Sequence, residues 1–135
     1  EIEHAESAVQ CLNHLITNAL EHVPDVLEYL ERVKENSVFL FCAIPQVMAI
    51  ATLSRCFNNH NVFMGVVKIR RGETAKIFGG IDDMQSIYFL FDQFAAVIEG
   101  KIDPCDPNAA RTREIVKKIR STCGYKSASK TPVNT

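Results

Sequence analysis

The stretch Ser37-Val38-Phe39-Leu40-Phe41-Cys42-Ala43-Ile44-Pro45-Gln46-Val47-Met48-Ala49-Ile50-Ala51-Thr52-Leu53 carries no charge and one proline. The segments on either side of it are amphipathic and charged. A helix that is apolar all round is either the core of a helical protein or a membrane span. Val38 to Leu53 is 16 residues, or roughly 24 Å of helix against about 30 Å of hydrocarbon. Length therefore favours a buried core helix, and Pro45 and Gln46 near its middle argue the same way. Pro45 cannot donate to the carbonyl of Phe41, and its ring crowds that carbonyl, so a kink or break is expected between the two.

The flanking segments read as helices that pack on this centre. Val9, Leu12, Ile16, Ala19, Leu20 and Val23 recur at helical spacing, which predicts an amphipathic helix from about Glu3 to His22. Pro24 stops it and suits the first position of a second helix running to about Lys34. Asp25 and Glu28 fall in that first turn, where the helix dipole favours acids, and Glu28 with Arg32 forms an i,i+4 pair. Asn36 and Ser37 are candidate caps for the central helix. Residues Val62 to Arg71 alternate weakly and read as an extended connector, followed by a short helical turn from Thr74 to Phe78. Asp82 and Gln85 have capping-box spacing. Met84, Ile87, Tyr88, Phe91, Ala95, Ile98 and Ile102 then form a strong helical stripe. Asp106 and Pro107 are placed to start a last helix, anchored thinly by Ile115 and Ile119. Beyond Gly124 the Ser/Thr/Lys-rich tail is expected to be disordered. The fold class is all-α, with residues 1–123 as the domain and 124–135 as the tail.

Apolar content of 47% and charged content of 23% are those of a globular chain, and a net charge of −1 gives no global pull toward nucleic acid or anionic membrane. Charge is unevenly placed. Residues 1–35 hold eight acidic side chains against Arg32 and Lys34, and residues 111–130 hold seven basic ones against Glu114; two solvated faces lying near each other would account for this. The five cysteines lack a CxxC pair, and Cys11 and Cys42 sit in apolar surroundings. This favours a reducing compartment over a disulfide framework or a zinc site. The four histidines show no ligand spacing. The chain begins at Glu1, already in a helical pattern, which reads as part of something longer.

Several motifs together resemble a known family. Ala8-Val9-Gln10-Cys11-Leu12-Asn13, Ile16-Thr17-Asn18-Ala19-Leu20 and Phe41-Cys42-Ala43-Ile44-Pro45-Gln46-Val47-Met48-Ala49-Ile50-Ala51-Thr52-Leu53 look like the C-terminal part of the eukaryotic squalene synthases. Asn61-Val62-Phe63-x-Gly65-x-Val67-Lys68-Ile69-Arg70-Arg71-Gly72 and Asp106-Pro107-Asn108 continue the likeness in order, over about residues 7–120. The resemblance implies the class I isoprenoid synthase fold. It also implies head-to-head condensation of two farnesyl diphosphates to presqualene diphosphate, then rearrangement and reduction to squalene with NADPH. By the same resemblance the enzyme is monomeric and held at the cytosolic face of the endoplasmic reticulum membrane by a C-terminal anchor not found in this chain.

The resemblance makes Phe39 and Phe41 the wall of a carbocation pocket, with Cys42, Pro45 and Gln46 beside them. Aromatic faces in a dry cavity stabilise a cation by about 2 kcal/mol or more each without offering a nucleophile. Phe39 and Phe41 point roughly 200° apart on a regular helix, so both reach one cavity only if the helix is distorted or the cavity wraps around it. Lys68 and Arg70 match family residues that hold the phosphates of NADPH. In an extended segment, residues two apart project to one side, and a planar guanidinium beside an ammonium suits a phosphate.

The family's two aspartate-rich motifs, which bind Mg²⁺ and the substrate diphosphates, are not found; Asp25-Val26-Leu27-Glu28-Tyr29 lacks a closing aspartate. By itself the chain is expected to be inactive. Two other readings compete: a phytoene or dehydrosqualene synthase that does not reduce its product, and a catalytically silent helical interaction domain.

Overall fold

A computed structural model describes residues 2–63, 65 and 71–129, and among them every regular element is helical. The order is α1 (Ile2–Leu20), α2 (Val23–Arg32), α3 (Asn36–Cys56), a 3-10 turn (His60–Phe63), α4 (Arg71–Gly80), α5 (Met84–Gly100) and α6 (Ala109–Ser129). The all-α expectation holds. Helices α5 and α6 form the most extensive pair, α3 lies along α5, and α1 packs chiefly on α6.

Helix α3 passes through Pro45 without interruption, so the expected break is absent. Its 21 residues exceed the uncharged run, and by length and composition alone it would cross a bilayer. Packing, not length, gives it another role. Phe39, Ala43, Val47, Ile50, Ala51 and Ser54 are buried as one stripe at helical spacing and join Ile87, Phe91, Ala95 and Ile98 of α5 in the core. The opposite side is not covered: Val38, Phe41, Pro45, Gln46 and Ala49 are exposed. A helix buried all round was expected; one stripe is buried instead.

Local signals placed most helix ends within a few residues. The cap of α5 is Asp83 rather than Asp82. Its carboxylate accepts from the Ser86 amide at 3.0 Å while the Ser86 hydroxyl accepts from the Asp83 amide at 3.1 Å, a reciprocal capping box. Helix α3 begins at Asn36 with Glu35 as its N-cap and has no side-chain cap bond, so the caps proposed at Asn36 and Ser37 are not used. Helix α4 is a full ten residues, Arg71–Gly80, instead of one turn.

Helix α6 continues to Ser129, through the first residues of the expected disordered tail. Its last turns are held from outside the helix. Cys123 is fully buried. Lys126 Nζ donates to Glu31 Oε2 at 2.6 Å and sits 5.9 Å from the centre of the Tyr88 ring, and the Tyr88 hydroxyl donates to the same Glu31 carboxylate. Burial, and after it the Asp92 charge, push the Cys123 thiol up to about 12. The anchor is also thicker than expected: Ala109, Thr112, Val116 and Cys123 are buried with Ile119, while Ile115 is only half-buried. The uneven charge is explained in part, since Arg111 pairs with Glu21 at 2.7 Å and Lys126 with Glu31.

Candidate functional site: a groove between α2 and α3

A concavity of about 520 Å³ lies between α2 and the uncovered side of α3. Helix α2 contributes Asp25, Val26, Tyr29 and Leu30, with His22 just before it, and α3 contributes Phe41, Cys42, Pro45 and Gln46. The helical repeat explains this set. Phe41 and Pro45, and likewise Cys42 and Gln46, are four apart and stack on one face. A smaller hollow of about 170 Å³ shares His22, Val26 and Gln46 and extends the groove toward Ala19, Ala49 and Leu53.

Four of the five pocket residues named from the sequence therefore come together, and Phe39 does not join them. Phe39 is 6% exposed and packs in the core, whereas Phe41 is 80% exposed on the groove wall. On its other side Phe39 borders a separate hollow with Leu30, Val33 and Met84. The continuous helix is the physical reason: without a break at Pro45, positions two apart stay on opposite sides. The expectation that both rings face one cavity is corrected accordingly. Lys68 and Arg70 lie outside the described residues.

Sequence reading missed Asp25, His22 and Tyr29 as groove residues. Asp25 was assigned only to the first helical turn, and nothing local shows that α2 turns this edge toward α3. The groove is mostly apolar, with Asp25, His22, Gln46 and the Tyr29 hydroxyl as its polar groups. A ring face on an apolar wall can stabilise positive charge on a ligand. Among the described residues no three His, Cys, Asp or Glu side chains come together to hold a metal ion, so Mg²⁺ has no fitting site there.

A polar hub fixes the far end of α3. Asn13, 2% exposed on α1, accepts from the Asn58 amide at 2.7 Å and donates to Asp106 Oδ2 at 3.0 Å. Asn58 takes a positive φ of 52°, which asparagine tolerates better than most residues, and its side chain donates to the Lys101 carbonyl at 2.9 Å. Lys101 Nζ in turn donates to the Ser54 carbonyl at 2.7 Å, at the carboxyl end of α3 where a cation is favoured. Burial, then the nearby Arg55 charge, hold the Lys101 ammonium below its usual range, with Cys56 acting in the opposite direction. Asp106 Oδ1 accepts from the Asn108 amide at 2.8 Å, so Asp106 does serve the start of α6. The available signal was Asn13 and Thr17, two polar residues four apart inside the apolar stripe of α1.

The sequence pattern of the family described as squalene/phytoene synthase matches residues 1–73. A squalene synthase from Mus musculus is 49% identical over 119 residues, which is 88% of this chain and 29% of that protein. Squalene synthase 1 from Arabidopsis thaliana is 45% identical over 121 residues, 90% of this chain and 30% of that protein. Among solved structures, a ligand complex of a trypanosome squalene synthase superposes with a TM-score of 0.87 at 38% identity, covering 93% of this chain and 36% of that one. The chain thus spans less than a third of the length of these two curated relatives.

Proposed function

The chain belongs to the squalene/phytoene synthase family, and from that premise we propose that it supplies one wall of a squalene synthase active site. The full reaction would join two farnesyl diphosphates head to head into presqualene diphosphate and then rearrange and reduce this to squalene with NADPH. One observation carries the reading: Phe41, Cys42, Pro45 and Gln46, named from sequence, line a single groove. Phe41 is the aromatic face offered to the carbocation. The apolar wall keeps water from trapping the cation. Phe39 acts from the core side, holding α3 against α5 so that Phe41 stays presented.

Lys68 and Arg70 hold the phosphates of NADPH, which supplies a hydride when bound. Metal and diphosphate binding fall to residues other than those described here, and the 135 residues by themselves are inactive in the condensation. The likeness to squalene synthases at 45–49% identity supports squalene synthase over a phytoene or dehydrosqualene synthase. In this reading the whole enzyme works as a monomer at the cytosolic face of the endoplasmic reticulum membrane.

The test is a chimera in which this chain replaces the matching segment of the mouse enzyme. Squalene formation from farnesyl diphosphate and NADPH is the expected result. A chimera that folds yet makes presqualene diphosphate and never squalene, at saturating NADPH, would overturn the reductive assignment.

A further inference from the structure

The two walls of the groove are not held alike. Helix α3 lies along α5, whereas α2 is only ten residues long. Val23, Leu27 and Leu30 of α2 are buried, while Asp25, Val26 and Tyr29 look onto the groove. The amino end of α2 follows directly from the turn after α1, where the Val26 amide donates to the His22 carbonyl at 3.1 Å. Its carboxyl end stops at Arg32, with Val33 extended beyond it. Behind that end lies a hollow of about 180 Å³ bordered by Leu30, Val33, Phe39 and Met84. Apolar packing therefore leaves the end of α2 incompletely backed.

Glu31, the last residue but one of α2, borders the same hollow and braces that end. Its carboxylate accepts from Lys126 Nζ of α6 at 2.6 Å and from the hydroxyl of Tyr88 on α5. The Lys126 ammonium sits 5.9 Å from the centre of the Tyr88 ring, so each of the three groups meets the other two. Tyr88 is buried, which fixes where its hydroxyl stands. Hydrogen bonds to an ionised acceptor are roughly twice as strong as neutral ones. Among the described residues, Glu31 carries the hydrogen bonds that join α2 to another helix. The residue before it, Leu30, lines the groove.

We propose that Glu31 is a positioning residue: braced by Tyr88 and Lys126, it sets how closely Val26 and Tyr29 of α2 stand to Phe41 and Cys42 across the groove. Its bearing on the reaction rests on the groove being a carbocation pocket. A wall that leans away admits water. The water oxygen then bonds to the cationic carbon, a proton passes to solvent, and the product is an alcohol instead of squalene. The strut thus acts on the outcome of the reaction without touching the substrate.

The test uses the chimera with the mouse enzyme and two readouts. One is the rate at which iodoacetamide alkylates Cys42, mapped by peptide mass; the other is the ratio of prenyl alcohol to squalene made from farnesyl diphosphate and NADPH. Glu31→Ala is expected to raise both about fivefold or more. Tyr88→Phe, which removes only the hydroxyl, raises both by less. Glu31→Gln keeps an acceptor for Tyr88 and returns both toward the parent values. Thr17→Val, which removes a hydroxyl pair between α1 and α6, leaves both unaltered. An unchanged Cys42 rate in Glu31→Ala would overturn the inference, as would equal changes in Thr17→Val. Faster Cys42 alkylation with an unchanged alcohol ratio would uphold the strut and count instead against the groove as a cation pocket.

Discussion

Phe39 and Phe41 differ by two positions and by the whole thickness of α3. One ring is nearly sealed in the core; the other stands mostly in the groove. Their residue type and sequence neighbours are nearly alike, so chemistry does not separate them. What does is the partner each side of the helix meets. The inner side meets α5, whose Ile87, Phe91 and Ala95 form an apolar surface. Among the described residues the outer side at Phe41 faces the edge of α2 across the groove. An apolar helix is therefore packed on one side and open on the other, and the same residue type is core on one and groove wall on the other.

The comparison can be broken most directly by removing each ring. Phe39→Ala should cost about 3–5 kcal/mol, the usual penalty for a large aromatic in a core, read as a drop in the urea midpoint. Phe41→Ala should change stability by no more than about 0.5 kcal/mol and, in the chimera, should depress squalene formation at least tenfold. Equal stability losses would mean that the outer side is packed as tightly as the inner one.

The polar hub tests how firmly the inner arrangement is fixed. Asn13→Ala removes the partner of the Asn58 amide and of Asp106 Oδ2, while Asp106 Oδ1 keeps the Asn108 amide, a loss of about 2–3 kcal/mol, again by urea titration. Thr17→Val at the next turn removes the 2.7 Å hydroxyl pair with Thr112 and should cost less, about 1 kcal/mol.

The inner side also has a pH signature. The Cys123 thiol is raised from 9.0 to about 12 by burial, so the folded chain keeps a proton that the unfolded chain gives up. Its stabilising contribution is complete below pH 9 and is lost progressively as pH rises toward 12. The slope is about 1.4 kcal/mol per pH unit, negative with rising pH. Cys123→Ala should flatten that part of the profile. The smallest effect concerns reactivity: Cys11 and Cys105, both exposed, should alkylate in the native protein while Cys123 reacts only after unfolding. Rapid native labelling of Cys123 would show that the α5–α6 seam opens to solvent.

Most helices were legible because their signals are local. Pro24, the acidic start of α5 (read one residue early, at Asp82) and the stripe from Met84 to Ile98 each act within a few residues. The groove was legible only through family likeness, and only on its α3 side. Two things were not legible, each for its own reason. Because α3 is uncharged from Asn36 to Ser54, its sequence does not say which side is the core, and the family likeness alone groups Phe39 with Phe41. The tail composition pointed to disorder, but the end of α6 is held by Glu31 and Tyr88, 95 and 38 residues away in the chain. Composition carries no record of such partners.

The bonds that seat α1 reach across 90 to 95 residues of chain: Asn13 with Asp106, Thr17 with Thr112, Asn18 and Glu21 with Arg111. Helix α1 is thus made well before the helix it docks on. At about 5–20 residues per second, translation leaves it roughly 5–20 s before its partner helix is made. Throughout that interval the apolar stripe from Val9 to Leu20 lacks its α6 partner, and any ribosomal pause before residue 112 prolongs the exposure.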